Sequence, residues 1–292
     1  MRQWLAKHAT QVKLEVPDSA EQSRSLINAL PRGSRVVIVG GDGTLNQLLP
    51  SLLAGAHTVA LVPFGSGNDA ARALGLYGLT WQQALHHGLS GQVSRIDLGL
   101  AEFELDDADE AMDALKTRIK KAYSVPFISS FTTGFDSSVG LRAIKGPKWL
   151  RGLPRYLLAT LRELANLRTW DVQVSLDAEL VHAADALFAS TLNTSSFGGG
   201  MPAVPHARVD DGKLDVLLAG KLNVFETMLL LPRLLIGTHI GHAKVRTQPF
   251  KTMTIDAITS LPVAADGEYL GFSKRITVSV LPSALAVVAA TA

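Results

Sequence analysis

With 292 residues, 47% of them apolar and 18% charged, the chain can bury a sizeable core and, at ~100–200 residues per domain, form two domains. A formal net charge of +2 argues against nucleic acid as the main partner. The lack of cysteine rules out a disulfide framework, a thiolate metal site and a cysteine nucleophile, in keeping with a cytoplasmic protein. Residues 1–13 have no apolar signal-peptide core. The greasiest segment, 224–236, carries Glu226, Pro232 and Arg233 and falls short of the ~20 apolar residues a spanning helix needs.

In chain order, 19–30 reads as a helix, 35–39 as a strand and 45–53 as a helix kinked at Pro50. Residues 58–63 form another strand, 68–74 open a helix, and 80–88 form a further one with a Thr80/Gln83 capping box. Strand–helix alternation with apolar strands predicts an α/β domain with a mostly parallel sheet over 1–105. Past residue 93 the segments shorten: strands at 93–98, 127–131, 170–176, 186–192, 214–219, 252–256 and 275–280, with helices near 149–167 and 224–235. Residues 106–292 are therefore expected to form an antiparallel, β-rich domain. Its first segment, 106–121, runs from acidic to basic and reads as a solvated excursion.

Four glycine-rich turns carry the chemistry. Gly40-Gly41-Asp42-Gly43-Thr44 follows the β-branched run 36–39, where glycines and free helix N-terminal N–H groups suit an anion. Asp42 would repel phosphate unless a cation lay between them, so the turn suggests a metal–nucleotide site; the simpler alternative is an Asp-capped helix start. The second turn is Pro63-Phe64-Gly65-Ser66-Gly67-Asn68-Asp69, whose Asn68 and Asp69 are also good helix caps. Both turns fall at carboxyl ends of strands, where α/β sheets bind ligands. Gly198-Gly199-Gly200 alone reads as a mobile loop. Asp210-Asp211-Gly212-Lys213 reads as a β-turn or as an oxygen-ligand cation site. Ala265-Asp266-Gly267-Glu268 reads as a hairpin that also offers a general base for a hydroxyl nucleophile.

These turns, in this order, resemble the diacylglycerol kinase catalytic-domain family, of the bacterial soluble lipid kinase type, from about residue 20 to the C-terminus. Gly-Gly-Asp-Gly also occurs in NAD kinases and phosphofructokinases; the Asn68-Asp69-x-Ala71-Arg72 and Asp266-Gly267-Glu268 turns separate this chain from them. The resemblance implies an N-terminal α/β nucleotide domain, a C-terminal β-sandwich, and ATP and lipid meeting between them. It implies that Gly41, Asp42, Gly43, Thr44, Leu45, Asn46 and Gln47 line the ATP phosphates, with Ser66 also touching nucleotide. Glu268 would take the proton of the lipid hydroxyl, although the sequence leaves Asp266, one turn residue away, as an alternative base. Arg208, Asp211 and Lys213 would hold a structural Mg²⁺, the first and last through backbone oxygen. Asp42, Asn68, Asp97 and Asp266 would form a polar network between the domains, near a second metal.

A lipid substrate requires contact with a membrane surface. Residues 142–168 place Arg142, Lys145, Lys148, Arg151, Arg155, Arg162 and Arg168 among Trp149, Leu150, Leu153, Tyr156, Leu157 and Leu158, against the single acid Glu163. That suits anionic lipid, and equally a packed helix with a solvated basic face. A homodimer is compatible with the sequence. Relatives usually begin with a strand and an Asn-Pro-x-Ser-Gly turn, whereas this chain opens with Met1-Arg2-Gln3-Trp4, in what should be the first helix. It also has no Thr around Glu15-Val16-Pro17, and Gln47 where Glu is common. The expectation is a shortened start or a lost nucleotide contact, with a sheet neighbour left uncovered. The expected activity is ATP- and Mg²⁺-dependent phosphorylation of a diacylglycerol-like lipid. The alternatives are a lipid-binding or regulatory protein without turnover, and a kinase for a soluble substrate such as NAD.

Overall fold

The computed structural model describes residues 1–8, 12–106, 122–147, 149–150 and 153–290. Most of the expected excursion at 106–121, and Lys148 and Arg151 of the basic stretch, lie outside the described residues. The chain opens with α1 (Arg2–His8) and α2 (Ala20–Asn28), the latter capped by Ser19, whose side chain accepts the Gln22 N–H. The valine-rich run forms β1 (Arg35–Gly40), and α3 (Asp42–Ala54) starts directly behind it. The apolar periodicity places that start at residue 45; glycines and Asp42 carry no periodicity, so the first turn was invisible to it. The helix continues through Pro50 rather than ending there. Next come β2 (Thr58–Pro63), α4 (Asp69–Ala73) and α5 (Trp81–Ser90), the last with both halves of the Thr80/Gln83 capping box.

The remaining elements are β3 (Val93–Glu104), β4 (Ala122–Phe127), β5 (Ser130–Thr133), α6 (Phe135–Ile144), α7 (Leu153–Leu164), β6 (Trp170–Leu176), β7 (Glu179–Leu192), β8 (Leu214–Gly220), α8 (Val224–Leu235), β9 (Val245–Phe250), β10 (Thr252–Ala265) and β11 (Glu268–Val288). Three differ in kind from the sequence expectation. The strand expected over 127–131 is broken at Ile128-Ser129, where the backbone N–H groups turn to a carboxylate instead of a neighbouring strand. Helix α6 and strand β9 have no counterpart in the sequence expectation.

β1 and β2 pair in parallel, and the far edge of β2 takes the end of β11, also in parallel, with Ala286 opposite Thr58. The other strand pairs are antiparallel. The outcome is an N-terminal α/β domain with parallel strands and a C-terminal, β-sandwich-like domain. Among the described residues β1 is the edge of this network, paired only with β2. One core gathers Leu49, Leu52 and Leu61 with Leu98 of β3 and Val287 of β11. A second gathers Phe127, Phe131, Val216 and Ile255 with Phe103 of β3 and Ile276 of β11. The long strands β3 and β11 thus run through both. A third cluster joins α6, α7 and α8 through Phe135, Val139, Ala159 and Leu230. Among the described residues, no helix is long and apolar enough to cross a membrane.

Candidate active site

The two N-terminal glycine turns pack backbone to backbone: a Cβ on Gly41 would stand 2.6 Å from the Gly65 Cα. Only glycine permits that approach. The Asn68 side chain closes the second turn on itself, accepting the Gly65 N–H at 2.9 Å and donating to the Gly65 carbonyl at 2.7 Å. This holds Asn68 in the left-handed region, at φ 58°, where Asn is tolerated. Asp42 then locks the turns together, its carboxylate accepting the backbone N–H groups of Asp69 (2.9 Å) and Ala70 (3.1 Å). Asp42 is thus not a cap for its own helix. Gly41, the N-cap of α3, offers no side chain, so the N-terminal amides of that helix are open to an anion.

The hairpin between β10 and β11 faces this helix end. Asp266 and Gly267 both have positive φ, 45° and 83°, and Ala265 pairs with Glu268, as a two-residue hairpin loop requires. The Asp266 carboxylate accepts Asn46 Nδ2 and Ile128 N–H on one oxygen (both 2.9 Å), and Ser129 and Ser130 N–H on the other (2.7 and 3.0 Å). It therefore ties α3, the β4–β5 break and the hairpin together. Glu268 is exposed, and its Oε1 lies 3.5 Å from where a Gly43 Cβ would be. No donor to its carboxylate occurs among the described residues.

Burial raises the pKa of Asp42, and the charges of Asp69 and Asp266 add to that; the two backbone N–H groups oppose it. Burial likewise raises Asp266 against its four donors. Acids crowded in this way favour a cation nearby.

Asp69 and the triglycine loop were underread from sequence. Asp69 looks like a helix cap, yet its carboxylate accepts Ser196 Oγ (2.9 Å) and the N–H groups of Gly199 (3.0 Å) and Gly200 (2.9 Å). The loop is fastened, not loose. Arg72 stacks on the Tyr77 ring at 3.4 Å and lies where a Gly200 side chain would have to go. Nothing local in the sequence signals the Asp69 contacts or the approach of Arg72 to Gly200, because those partners lie more than a hundred residues apart.

Of the other expected site residues, Thr44, Gln47 and Ser66 are exposed at the two turns, whereas the Leu45 side chain is buried in the core. The Leu45 N–H is engaged as well, donating to the Gly41 carbonyl at 3.1 Å, so Leu45 offers a ligand no free donor. Asp97 is buried and accepts the Gly212 (2.6 Å) and Ser283 (2.7 Å) N–H groups, which fixes the Asp210–Lys213 turn. In that turn Asp211 accepts the Lys213 N–H at 3.0 Å, and Arg208 pairs with Asp210 at 3.1 Å. Among the described residues, no three His, Cys, Asp or Glu side chains converge as a metal site. A carboxylate with backbone carbonyls is nevertheless an oxygen donor set that suits a hard cation.

Asp42, Ser66, Gly199 and Asp266 line one cleft of about 270 Å³, with Asp136 and Tyr156 at its other end. An α/β unit and a β-sandwich thus meet at a cleft lined by glycine turns and carboxylates. Residues 1–101 match the family described as the diacylglycerol kinase catalytic domain, and residues 129–289 match the YegS C-terminal NAD kinase beta sandwich-like domain. A diacylglycerol kinase of Mycobacterium tuberculosis (strain ATCC 25618 / H37Rv) is 31% identical over 271 residues, covering 92% of this chain and 82% of the relative. The chain belongs to the diacylglycerol kinase catalytic-domain family with a YegS-type C-terminal domain. A "probable lipid kinase YegS-like" protein of Shewanella frigidimarina is 25% identical over 92% of the chain and 81% of its own length. Among solved structures, a putative diacylglycerol kinase from Bacillus anthracis str. Sterne superposes with a TM-score of 0.71 at 18% identity, covering 95% of this chain and 85% of that one. An NAD kinase from Archaeoglobus fulgidus in complex with ATP shares the fold, with a TM-score of 0.53 at 14% identity over 98% and 86%.

Proposed function

We propose that the protein is an ATP-dependent lipid kinase that transfers the γ-phosphoryl group to the hydroxyl of a diacylglycerol-like lipid. The observation that carries this is the facing pair: the open amides at the start of α3, and Glu268 within reach of Gly43. The first-turn amides of α3, from Gly41 to Thr44, with the Gln47 and Ser66 side chains and the Asn68 turn beside them, cradle the phosphates of ATP. Glu268 accepts the proton of the lipid hydroxyl as its oxygen bonds to the γ-phosphorus, and the bond to the β-phosphate oxygen breaks to release ADP. Asp266 already receives four hydrogen bonds, which argues for Glu268 as the base and for Asp266 as the group that positions Asn46 and the hairpin. Mg²⁺ would supply charge neutralisation at the phosphates, held by Asp42. A structural Mg²⁺ would sit on Arg208 and Lys213 carbonyls and the Asp211 carboxylate.

In this reading residues 1–105 hold nucleotide and 106–292 hold lipid, with the end of β11 returned to the first unit. The protein works in the cytoplasm, where ATP is available, and touches the membrane transiently. Exposed Ile144, Trp149 and Leu161 beside Lys145, Arg162 and Arg168 support that contact, as does the outer face of α8, where Phe225, Met228, Leu229 and Ile236 are exposed.

The test is transfer from labelled ATP to diacylglycerol in mixed micelles, with NAD as a soluble acceptor alongside. Asp42→Ala and Glu268→Ala should each lower lipid phosphorylation by about 10²–10⁴-fold with the fold intact. Transfer to NAD alone, or no transfer to any acceptor, would sink the lipid-kinase reading; full activity in Glu268→Ala would remove it as base.

A further inference from the structure

Beyond Asp136 and Tyr156 the cleft meets a second cavity, of about 70 Å³, walled by α6, β7, β8 and α8 through apolar side chains such as Val139, Leu187, Leu217 and Leu230. Asp136, Tyr156 and Phe197 line both spaces. Asp136 is the one carboxylate on the boundary. It sits in the first turn of α6 and is 8% exposed, yet it caps no helix and pairs with no cation among the described residues. Ser190 Oγ donates to its Oδ2 at 2.8 Å. Its other oxygen has no protein donor among the described residues. A buried acid without a structural partner set, placed where a polar cleft becomes an apolar cavity, calls for a ligand with polar atoms at that height.

We propose that Asp136 recognises the lipid at its waist, hydrogen-bonding an ester carbonyl oxygen that joins the headgroup in the cleft to acyl chains in the apolar cavity. The orientation rests on the lipid-kinase reading, which puts the reacting hydroxyl beside Glu268. An ester carbonyl only accepts, so the carboxyl must carry its proton to donate. Burial pushes the Asp136 pKa up to about 7, with the Ser190 hydrogen bond pulling the other way. The titratable neighbours are Tyr156 from α7, itself raised by burial and by the Asp136 charge, and in the cleft Asp42, Asp69, Asp266 and Arg155. Arg155 is tied to the Ile144 and Gly146 carbonyls, and His239 stands on the wall of the apolar cavity.

Binding of dioctanoylglycerol, and of its dioctyl ether analogue without carbonyls, measured by calorimetry without ATP, tests this. Wild-type affinity for the ester should fall about tenfold between about pH 6 and about pH 8, as the donor proton is lost. Asp136→Asn, which keeps a donor, should bind the ester within about threefold of wild type at the lower pH and stay flat across the range. Asp136→Ala should lose about tenfold and no longer prefer ester to ether. Ser190→Ala, which removes the group holding the pKa down, should move the wild-type transition to higher pH, and serves if the alanine variant does not fold. A pH slope unchanged in Asp136→Asn, a transition unmoved in Ser190→Ala, an ester preference kept by Asp136→Ala, or no binding of the ester by wild type would each overturn the proposal. Phosphoryl transfer by the same protein preparations, with ATP added, separates the two readings. Binding as described without transfer defeats the kinase reading alone; transfer with binding indifferent to Asp136 defeats this one alone.

Discussion

Two buried aspartates mark the limits of what a sequence discloses about single residues. Asp266 is announced by its glycine neighbour, since Asp-Gly between strands is a hairpin signal, and the turn then aims the carboxylate at α3. Asp136 has no such marker; its meaning comes from a cavity assembled by four distant elements. Its burial has a measurable cost. The folded pKa of about 7 lies above the ordinary aspartate value of 3.8, so between those values the native state binds more protons than the unfolded chain. Stability therefore falls as pH rises through that window and stays lowered above it. Asp136→Asn, which cannot ionise, should match wild type near pH 4 and exceed it near pH 8 by up to roughly 4 kcal/mol, read by urea unfolding at both values. Equal stability at both would mean the carboxyl is not held against its ionisation.

Helix α8 is legible as an element, whereas its exposed apolar face is not. Its span, 224–235, follows from the apolar period, and Asn223 with Glu226 forms a capping box at its start. The sequence points to the basic stretch around α7, as a membrane contact or equally as a packed helix with a solvated face, because charge is easier to see than an exposed apolar face. On α8 Phe225 is 70% exposed, and Ile236, just past its end, is 72% exposed. Phe225→Glu with Leu229→Asp should weaken sedimentation with anionic vesicles by about tenfold while shifting stability by no more than about 0.5 kcal/mol per site, since both side chains face water. Unchanged sedimentation would exclude this face as a membrane contact. The break between β4 and β5 lies at the opposite pole of legibility. Residues 127–131 are a good strand by composition, and only the Asp266 carboxylate arriving from β10–β11 interrupts it.

For the whole molecule, the change near residue 93 from strand–helix alternation to mostly strands is legible because helical and strand periods differ locally. It does not disclose that β3 and β11 thread both cores, since pairing across the chain leaves no local period. These shared strands predict one cooperative thermal transition by calorimetry, its calorimetric and van't Hoff enthalpies equal; two resolved transitions would show that the halves unfold separately. The small apolar cavity beneath α8 carries a last consequence. In water, the hydrophobic effect presses the inner face of that helix onto the body, since lifting it would wet Leu230 and Leu234. Against a bilayer the medium outside is as oily as the wall inside, and that force disappears. If the proposed membrane contact is made through α8, water is what holds this wall of the pocket down, and a bilayer would relieve it.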